Sequence, residues 1–298
     1  MIRSLLFLLL PALACAQQPL IDSGNIVVPG ATPRLVSHAF AFTEGASTDR
    51  DGNVFFTDQP NNKIWEYDVN DHLSLFMDST GRSNGMYFDP QGNLITCADE
   101  HDQLWSISPR RQVRVLVRDY QGHRLNGPND CWVDARGGIY FTDPYYQRPW
   151  WDRTQPDISG QDVYYLPPGA SQPILMDSSL VKPNGIVGTP DGRHLYVADI
   201  QDGKTYVFTI GADGRLSDKR LFVTMGSDGM TLDERGNVYL TGGGVTVFSP
   251  SGKRIAHIPI PEKWTANLCF GGRDKRTLFI TASEGIYVLP MQVAGVEP

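Results

Sequence analysis

Hydrophobic and polar positions alternate along this chain in short runs, and the runs recur as a sixfold repeat. Each copy has a polar opening residue, a strand-like run, a turn and a second run rich in aromatic and β-branched residues. The copies are EGASTDRDGNVFFTD (44–58), NGMYFDPQGNLITCAD (84–99), NDCWVDARGGIYFTDP (129–144), NGIVGTPDGRHLYVAD (184–199), DGMTLDERGNVYLTGG (228–243) and NLCFGGRDKRTLFITA (267–282). Their turns follow one another at intervals of 39–55 residues, a spacing typical of a blade of four short strands.

The repeat predicts an all-β fold, a six-bladed β-propeller. Apolar runs on both sides of an Asp-Gly turn are typical of tight hairpins, and the sequence lacks apolar residues at helical spacing. So many short strands leave exposed edges unless the sheets are arranged around an axis. We expect residues 34–38 to pair with residues 285–289, which would close the ring with both ends of the chain.

Composition and the N-terminal segment predict where the protein acts. Residues 1–16 combine Arg3, an apolar run and Ala14-Cys15-Ala16, which is typical of a secretory signal peptide. We therefore expect a secreted or periplasmic protein without a membrane span, with residues 17–298 as one propeller domain; a lipoprotein anchor on Cys15 is the alternative. The formal charge of −7 without a basic stripe argues against nucleic acid as a partner.

Three cysteines remain after the predicted signal peptide, each in or beside a predicted inner strand. They are Cys97, Cys131 and Cys269. An odd number gives no complete disulfide framework, so buried free thiols are expected.

The polar opening residues predict a metal site. They are Glu44, Asn84, Asn129 with Asp130, Asn184, Asp228 and Asn267. In a propeller they would converge at one end of the central channel, where uncompensated carboxylates and amides cost free energy unless a cation lies among them. Oxygen donors without Cys or His favour Ca²⁺, with Mg²⁺, Mn²⁺ or Zn²⁺ as substitutes. Each Asn-Gly or Asp-Gly pair alone is a common turn, but turn chemistry does not explain a glutamate in the first copy.

Four phrases resemble the gluconolactonase, regucalcin and luciferin-regenerating enzyme family. They are FTEGAS (42–47), NGPNDCWVDARGGIYFTDPYY (126–146), KPNGIV (182–187) and SDGMTLDERGN (227–237). The resemblance covers roughly residues 34–290 and implies a six-bladed propeller with one catalytic divalent metal at the channel mouth. It implies Glu44, Asn184 and Asp228 as metal ligands and Asn129 as a contact to the substrate or the metal. Ala46 and Ser227 stand where that family often has proline.

The resemblance also implies hydrolysis of a sugar lactone, and the predicted site suits that reaction. A divalent cation on the lactone carbonyl would stabilise the oxyanion, while a carboxylate takes a proton from the attacking water. Asp228 is the expected base and Asp130 the alternative. Asn84, besides Asn129, is a candidate substrate contact.

The longest interval between copies contains an aromatic loop, PYYQRPWWDRTQPDISG (144–160). Its side chains are candidates for the wall of a sugar pocket, with packing of the loop onto itself as the alternative. The candidates are Tyr145, Arg148, Trp150 and Trp151. His101 is a further candidate at the rim, with a packing role as its alternative.

Two other functions fit the same residues. A Lewis-acidic cation also suits aryl esters or phosphotriesters, and a propeller with a structural ion can bind a carbohydrate or a protein without catalysis. A structural ion is enclosed by protein ligands, whereas a catalytic ion keeps positions open.

Overall fold

A computed structural model describes residues 19–296 as an all-β protein with two short 3₁₀-helices. The predicted signal peptide lies outside the described residues. A search of this part of the chain finds no helix with the length and apolar character needed to cross a membrane.

Residues 19–296 form 25 β-strands. In chain order they are β1 Ile21–Asp22, β2 Arg34–Ser37, β3 Thr43–Thr48, β4 Val54–Asp58, β5 Lys63–Tyr67, β6 Leu73–Asp78, β7 Ser83–Phe88, β8 Leu94–Ala98, β9 Gln103–Ile107, β10 Val113–Val117, β11 Cys131–Val133, β12 Ile139–Asp143, β13 Asp162–Leu166, β14 Ile174–Asp177, β15 Pro183–Gly188, β16 His194–Asp199, β17 Lys204–Ile210, β18 Leu216–Val223, β19 Met230–Leu232, β20 Val238–Gly242, β21 Gly244–Phe248, β22 Arg254–Ile258, β23 Thr265–Gly271, β24 Thr277–Ala282 and β25 Gly285–Pro290. The 3₁₀-helices, Gln59–Asn61 and Asp99–His101, follow β4 and β8.

The strands form six antiparallel sheets, which are the blades. Blade 1 contains β3 to β6, blade 2 β7 to β10, blade 3 β11 to β14 and blade 4 β15 to β18, each in sequence order. Blade 5 contains β19 to β22 and blade 6 β23 to β25. The first strand of each blade contacts the first strand of the next, and β23 returns to β3. This closed ring of inner strands confirms the predicted six-bladed propeller.

The N-terminal segment completes the last two blades. Strand β1 pairs with β22 at the outside of blade 5, and β2 pairs with β25 as the outer strand of blade 6. The register places Arg34 opposite Val288 and Leu35 opposite Tyr287, which confirms the predicted closure. Edges of the last blades that would otherwise be open are thereby paired.

The repeated turn has one physical cause in four blades. In blade 1 the Asp49 carboxylate accepts hydrogen bonds from the backbone N–H groups of Asp51 and Asn53, at 3.0 and 2.8 Å. Asp89, Asp134 and Asp233 do the same in blades 2, 3 and 5. Gly52 has a φ of 93° in the same turn, a conformation that glycine adopts without steric cost. The Asp-x-x-Gly signature is therefore a self-capped hairpin turn.

The hydrophobic core lies between the faces of neighbouring blades. Trp132 of blade 3 packs against Gly188 of blade 4, where an added Cβ would stand 2.4 Å from the indole. The three cysteines are buried thiols that form no disulfide, as predicted: Cys97, Cys131 and Cys269. Packing, without disulfides among the described residues, holds adjacent blades together.

Candidate active site

Five of the polar opening residues line one cavity at the end of the channel where the inner strands begin. The cavity has a volume of about 240 Å³. Its lining consists of Phe42, Glu44, Gln59, Asn84, Asn129, Tyr146, Arg148, Asn184, Ile200, Asp228 and Trp264. Every blade contributes to this set, so the cavity lies on the axis of the ring. The predicted convergence of Glu44, Asn184 and Asp228 is what the structure shows.

Irregular pairing at the start of the inner strands directs the opening side chains into the cavity. Strand β3 has a register shift between Glu44 and Ser47, and β15 has one between Pro183 and Ile186. Such bulges commonly re-aim a side chain beside a functional site. The glycine after the opening residue has a related role: an added Cβ on Gly45 would stand 2.0 Å from the carbonyl oxygen of Asn84. The recurring acid-Gly and Asn-Gly pairs therefore allow neighbouring blades to approach closely.

The two carboxylates of the cavity are buried close together. Burial raises the pKa of Glu44 well above its usual value, and the negative charge of Asp228 raises it further. Burial also raises the pKa of Asp228, to about 6, although hydrogen bonds from Trp264 and Asn184 partly oppose the shift. Without a cation, the pair therefore tends to retain a proton near neutral pH.

The amide side chains present unpaired oxygen atoms. The Nδ2 of Asn184 donates to the Tyr146 hydroxyl at 3.1 Å, and Asn184 also donates to Asp228. With its amide nitrogen used in this way, the buried Oδ1 of Asn184 has no hydrogen-bond partner, and the same is true of the buried Oδ1 of Asn84. Unpaired buried oxygens are costly. Two such oxygens beside two buried carboxylates fit a hard divalent cation.

This donor set is mixed, with two acids and several amides. Among residues 19–296, no group of three or more His, Cys, Asp or Glu side chains is positioned to hold a metal ion. A cation held here would therefore depend on amide oxygens as well as on Glu44 and Asp228.

Two opening residues face the other way. Asp130 and Asn267 line a separate cavity of about 290 Å³ inside the channel, together with the apolar side chains of the inner strands. The Asp130 carboxylate accepts hydrogen bonds from the backbone of Cys131, at 2.9 Å, and of Ile186. Asp130 does not line the axial cavity, so its placement does not favour the alternative base.

The aromatic loop contributes one of its four candidates to the cavity wall. Arg148 lines the cavity and forms an ion pair of 2.7 Å with the buried Asp99, which also accepts a hydrogen bond of 3.0 Å from Gln59. Asp99 and Gln59 lie in the two 3₁₀-helices. The guanidinium of Arg148 is therefore held in a fixed position at the cavity.

The other three loop candidates lie outside the lining. Trp150 and Trp151 donate to the side chain and the backbone of Asp99, at 3.3 and 2.9 Å, and Tyr145 packs against Trp151 with ring centroids 5.7 Å apart. These contacts support the alternative in which the aromatic residues pack the loop onto blade 2. His101 is exposed and stacks on Trp105 at 5.3 Å, which likewise fits its packing alternative.

Sequence reasoning missed Tyr146 and Trp264. Tyr146 lines the cavity, whereas its neighbour Tyr145 points into the loop, a choice that residue type alone does not reveal. Trp264 is 37% exposed, and its indole N–H donates a hydrogen bond of 2.6 Å to Oδ2 of Asp228. Ser283 holds its backbone through two hydrogen bonds of 3.2 Å. The only sequence signal was the position of Trp264 just before the sixth copy.

The closed ring and its axial cavity place the chain among the six-bladed propellers that have a carboxylate and amide site at the channel mouth. Residues 42–284 match the model of the SMP-30/gluconolactonase/LRE-like region. The chain belongs to this family.

Individual relatives agree with that assignment. The chain is 27% identical over 294 residues to a gluconolactonase from Zymomonas mobilis, covering 88% of this chain and 82% of that protein. The structure of a gluconolactonase from Xanthomonas campestris superposes with a TM-score of 0.82 at 26% identity, covering 93% of this chain and 99% of the other. Regucalcin from Agrobacterium tumefaciens, described as a calcium-binding protein, has the same fold, with a TM-score of 0.75 at 18% identity and coverage of 90% and 97%.

Proposed function

We propose that this protein is a divalent-cation-dependent lactonase that hydrolyses sugar lactones. The observation that carries the proposal is the convergence of Glu44, Asn184 and Asp228 in one axial cavity, with the Asn184 oxygen unpaired. Family membership and relatives named gluconolactonase support the reaction class. A neighbour described as calcium-binding supports Ca²⁺ as the cation.

Glu44, Asn184 and Asp228 would hold the cation, with Asn129 and the unpaired oxygen of Asn84 beside it. When bound, the cation would supply Lewis-acid polarisation of the lactone carbonyl. Three or four protein ligands would leave coordination positions of the cation open. The cavity that they line has a volume of about 240 Å³, slightly below the roughly 300–1,000 Å³ of typical small-molecule sites. This arrangement favours catalysis over a purely structural ion.

Asp228 is the proposed general base. Its Oδ2 accepts the indole N–H of Trp264, which fixes the orientation of the carboxylate. The carboxylate would take a proton from the attacking water as the water adds to the lactone carbonyl carbon, and would return it to the ring oxygen as the ester bond breaks. Burial raises its pKa to about 6 in the absence of a cation, and a bound cation would lower it while also acidifying the attacking water.

Arg148 is the proposed substrate donor. Its ion pair with Asp99 restricts the guanidinium to one orientation at the cavity wall. Donors that are held in place before the substrate arrives lose little entropy on binding. Arg148 would therefore donate to hydroxyl groups of the sugar.

The proposal also concerns where the protein acts. We propose that residues 1–16 direct export and are then removed, so that the propeller acts outside the cytoplasm. Amino-terminal sequencing of the mature protein would locate the cleavage site.

Chelation tests the dependence on a cation. In a screen of aldonolactones, we expect hydrolysis above the spontaneous rate, loss of at least nine-tenths of it with EDTA, and recovery with Ca²⁺. Paraoxon and phenyl acetate in the same screen test the phosphotriester and aryl ester alternatives. Full activity after exhaustive chelation would contradict the proposed role of the cation, and absence of hydrolysis on every lactone would favour the non-enzymatic binding function.

Trp264→Phe tests the orientation of Asp228. The substitution keeps an aromatic ring but removes the N–H donor, and a hydrogen bond to a charged group contributes roughly 1.5–3 kcal/mol. We expect kcat to fall by about 10-fold or more with a smaller change in KM. Trp105→Phe is the matched control, because its indole donates to Gln103 at 2.8 Å and Trp105 does not line the cavity. Equal effects of the two substitutions would contradict a specific role for Trp264.

A further inference from the structure

A lysine beside the cavity has no charged partner. The Lys182 side chain is half-buried, and its Nζ lies 4.2 Å from the centroid of the Tyr146 ring. Throughout residues 19–296, no carboxylate lies within ion-pair distance of this Nζ. A partly buried cation without an anion is unfavourable, so the environment of Lys182 needs an explanation.

Tyr146 brings Lys182 close to a second cation. The guanidinium carbon of Arg148 lies 5.5 Å from the centroid of the same ring. Asp99 already neutralises Arg148, so Lys182 is the uncompensated charge of the pair.

Two cationic side chains lie together at this side of the cavity. The Arg148 guanidinium and the Lys182 ammonium contact the same Tyr146 ring, and only Arg148 has a carboxylate partner within ion-pair distance among residues 19–296. This local excess of positive charge favours an anionic group of a ligand over a neutral one.

Tyr146 sets where the anion would lie. Lys182 lies immediately before β15 and its Nζ contacts the ring of Tyr146, whose hydroxyl accepts a hydrogen bond of 3.1 Å from Nδ2 of Asn184. Lys182 is therefore one aromatic side chain away from a proposed cation ligand, so an anionic group bound there would lie away from the lactone carbonyl. The backbone N–H of Lys182 donates to the Asp199 carboxylate at 3.0 Å, which holds the backbone of the lysine in place.

We propose that Lys182, with Arg148 at the same Tyr146 ring, binds an anionic substituent at the end of the lactone remote from the ring carbonyl. The substrate class is therefore a sugar lactone that carries a carboxylate or a phosphate. This inference rests on the proposed lactonase function and adds the substrate charge to it.

A matched substrate pair tests the inference. D-glucono-1,4-lactone and D-glucaro-1,4-lactone differ only in a hydroxymethyl group or a carboxylate at C6, and 6-phospho-D-glucono-1,5-lactone, compared with D-glucono-1,5-lactone, provides the phosphate arm. For the Ca²⁺-loaded enzyme we expect higher kcat/KM on the anionic member. Lys182→Met should lower kcat/KM on the anionic lactone by about 10-fold, mainly through KM, with less than a twofold change on the neutral lactone. The anionic lactone on which Lys182→Met lowers kcat/KM more identifies the bound group as a carboxylate or a phosphate.

Two controls complete the test. Lys253→Met removes an exposed lysine of a blade 5 turn and should leave kcat/KM unchanged on both lactones. Addition of 0.5 M NaCl should reduce the preference of the wild-type enzyme for the anionic lactone. Equal effects of Lys182→Met on charged and neutral lactones would overturn the inference, as would a wild-type enzyme without a preference.

Equilibrium binding separates this inference from the proposed function. If no lactone is hydrolysed, the lactonase proposal fails, but calorimetry with D-glucarate and D-gluconate still tests the anion site. We expect Lys182→Met to weaken the binding of glucarate about 10-fold and the binding of gluconate less than twofold. An unchanged ratio of the two dissociation constants would overturn the anion site.

Discussion

Replacing Asp228 by asparagine is expected to lower kcat/KM for lactone hydrolysis by roughly 10³-fold. The substitution keeps the shape of the side chain and an oxygen that accepts the Trp264 indole N–H, which now lies 2.6 Å from Oδ2. It removes the group that takes the proton and one of the two negative charges that face the cation. Steady-state rates at saturating Ca²⁺, corrected for spontaneous lactone opening, provide the measurement.

Asp130→Asn is the matched control for that experiment. Asp130 is also a buried aspartate with a raised pKa, but it lines the inner channel and accepts backbone hydrogen bonds from Cys131 and Ile186. We expect less than a 10-fold loss. A severe loss in Asp130→Asn with normal activity in Asp228→Asn would assign the base to Asp130.

Calcium is expected to stabilise the protein more at pH 7.5 than at pH 5. Burial raises the pKa values of Glu44 and Asp228, the latter to about 6, so the cation-free folded state binds more protons than the unfolded chain. Its stability therefore falls as pH rises through about 6. A cation at 100 times its Kd adds about 2.7 kcal/mol, which corresponds to a rise in Tm of about 5–10 °C at 2–4 °C per kcal/mol. At pH 5 protons compete for the same oxygens, so the rise should be smaller.

Thermal unfolding with EDTA or with Ca²⁺ at the two pH values measures this linkage. Glu44→Gln is the informative variant, because it removes one buried charge with little change in shape. At pH 7.5 it should raise the Tm of the cation-free protein and remove most of the Ca²⁺ effect. A Ca²⁺ shift that is identical at pH 5 and pH 7.5 would contradict the assignment of these carboxylates as the cation site.

The fold was predictable because the blades repeat a hairpin, and four of them close it with the same Asp-capped turn. The Asp-x-x-Gly turns are visible in the sequence, and their carboxylates cap the hairpins through bonds within four residues of chain. The spacing of such local units determines the number of blades. Pairing of β2 with β25 was also predictable, because a radial arrangement penalises an open edge.

The site was predictable only where it is part of the repeat. Glu44, Asn184 and Asp228 occupy equivalent places in their blades and line one cavity, whereas Asn267, at the equivalent place of the sixth copy, lines the inner channel. Asp130 follows such a place but faces the inner channel, because neighbouring residues at a strand start project to opposite sides. The direction of a side chain at an irregular strand start cannot be read from spacing.

The loop residues needed the three-dimensional structure. Tyr145 and Tyr146 are indistinguishable by type, and Asp99 decides the orientation of Arg148 from 49 residues away. Trp264 reaches Asp228 across 36 residues. Contacts outside the repeat have no signature in a single sequence. The loop residues that line the cavity were therefore harder to predict than the opening residues of the repeat.

The last hydrogen bonds that position Glu44 come from the far end of the chain. Thr43, its neighbour in β3, donates to the carbonyl oxygens of Ser283, at 2.8 Å, and Gly285, at 2.9 Å. A nascent polypeptide still lacking these residues cannot secure the first blade against the sixth. Catalytic competence therefore arises late, after synthesis has passed the final hairpin.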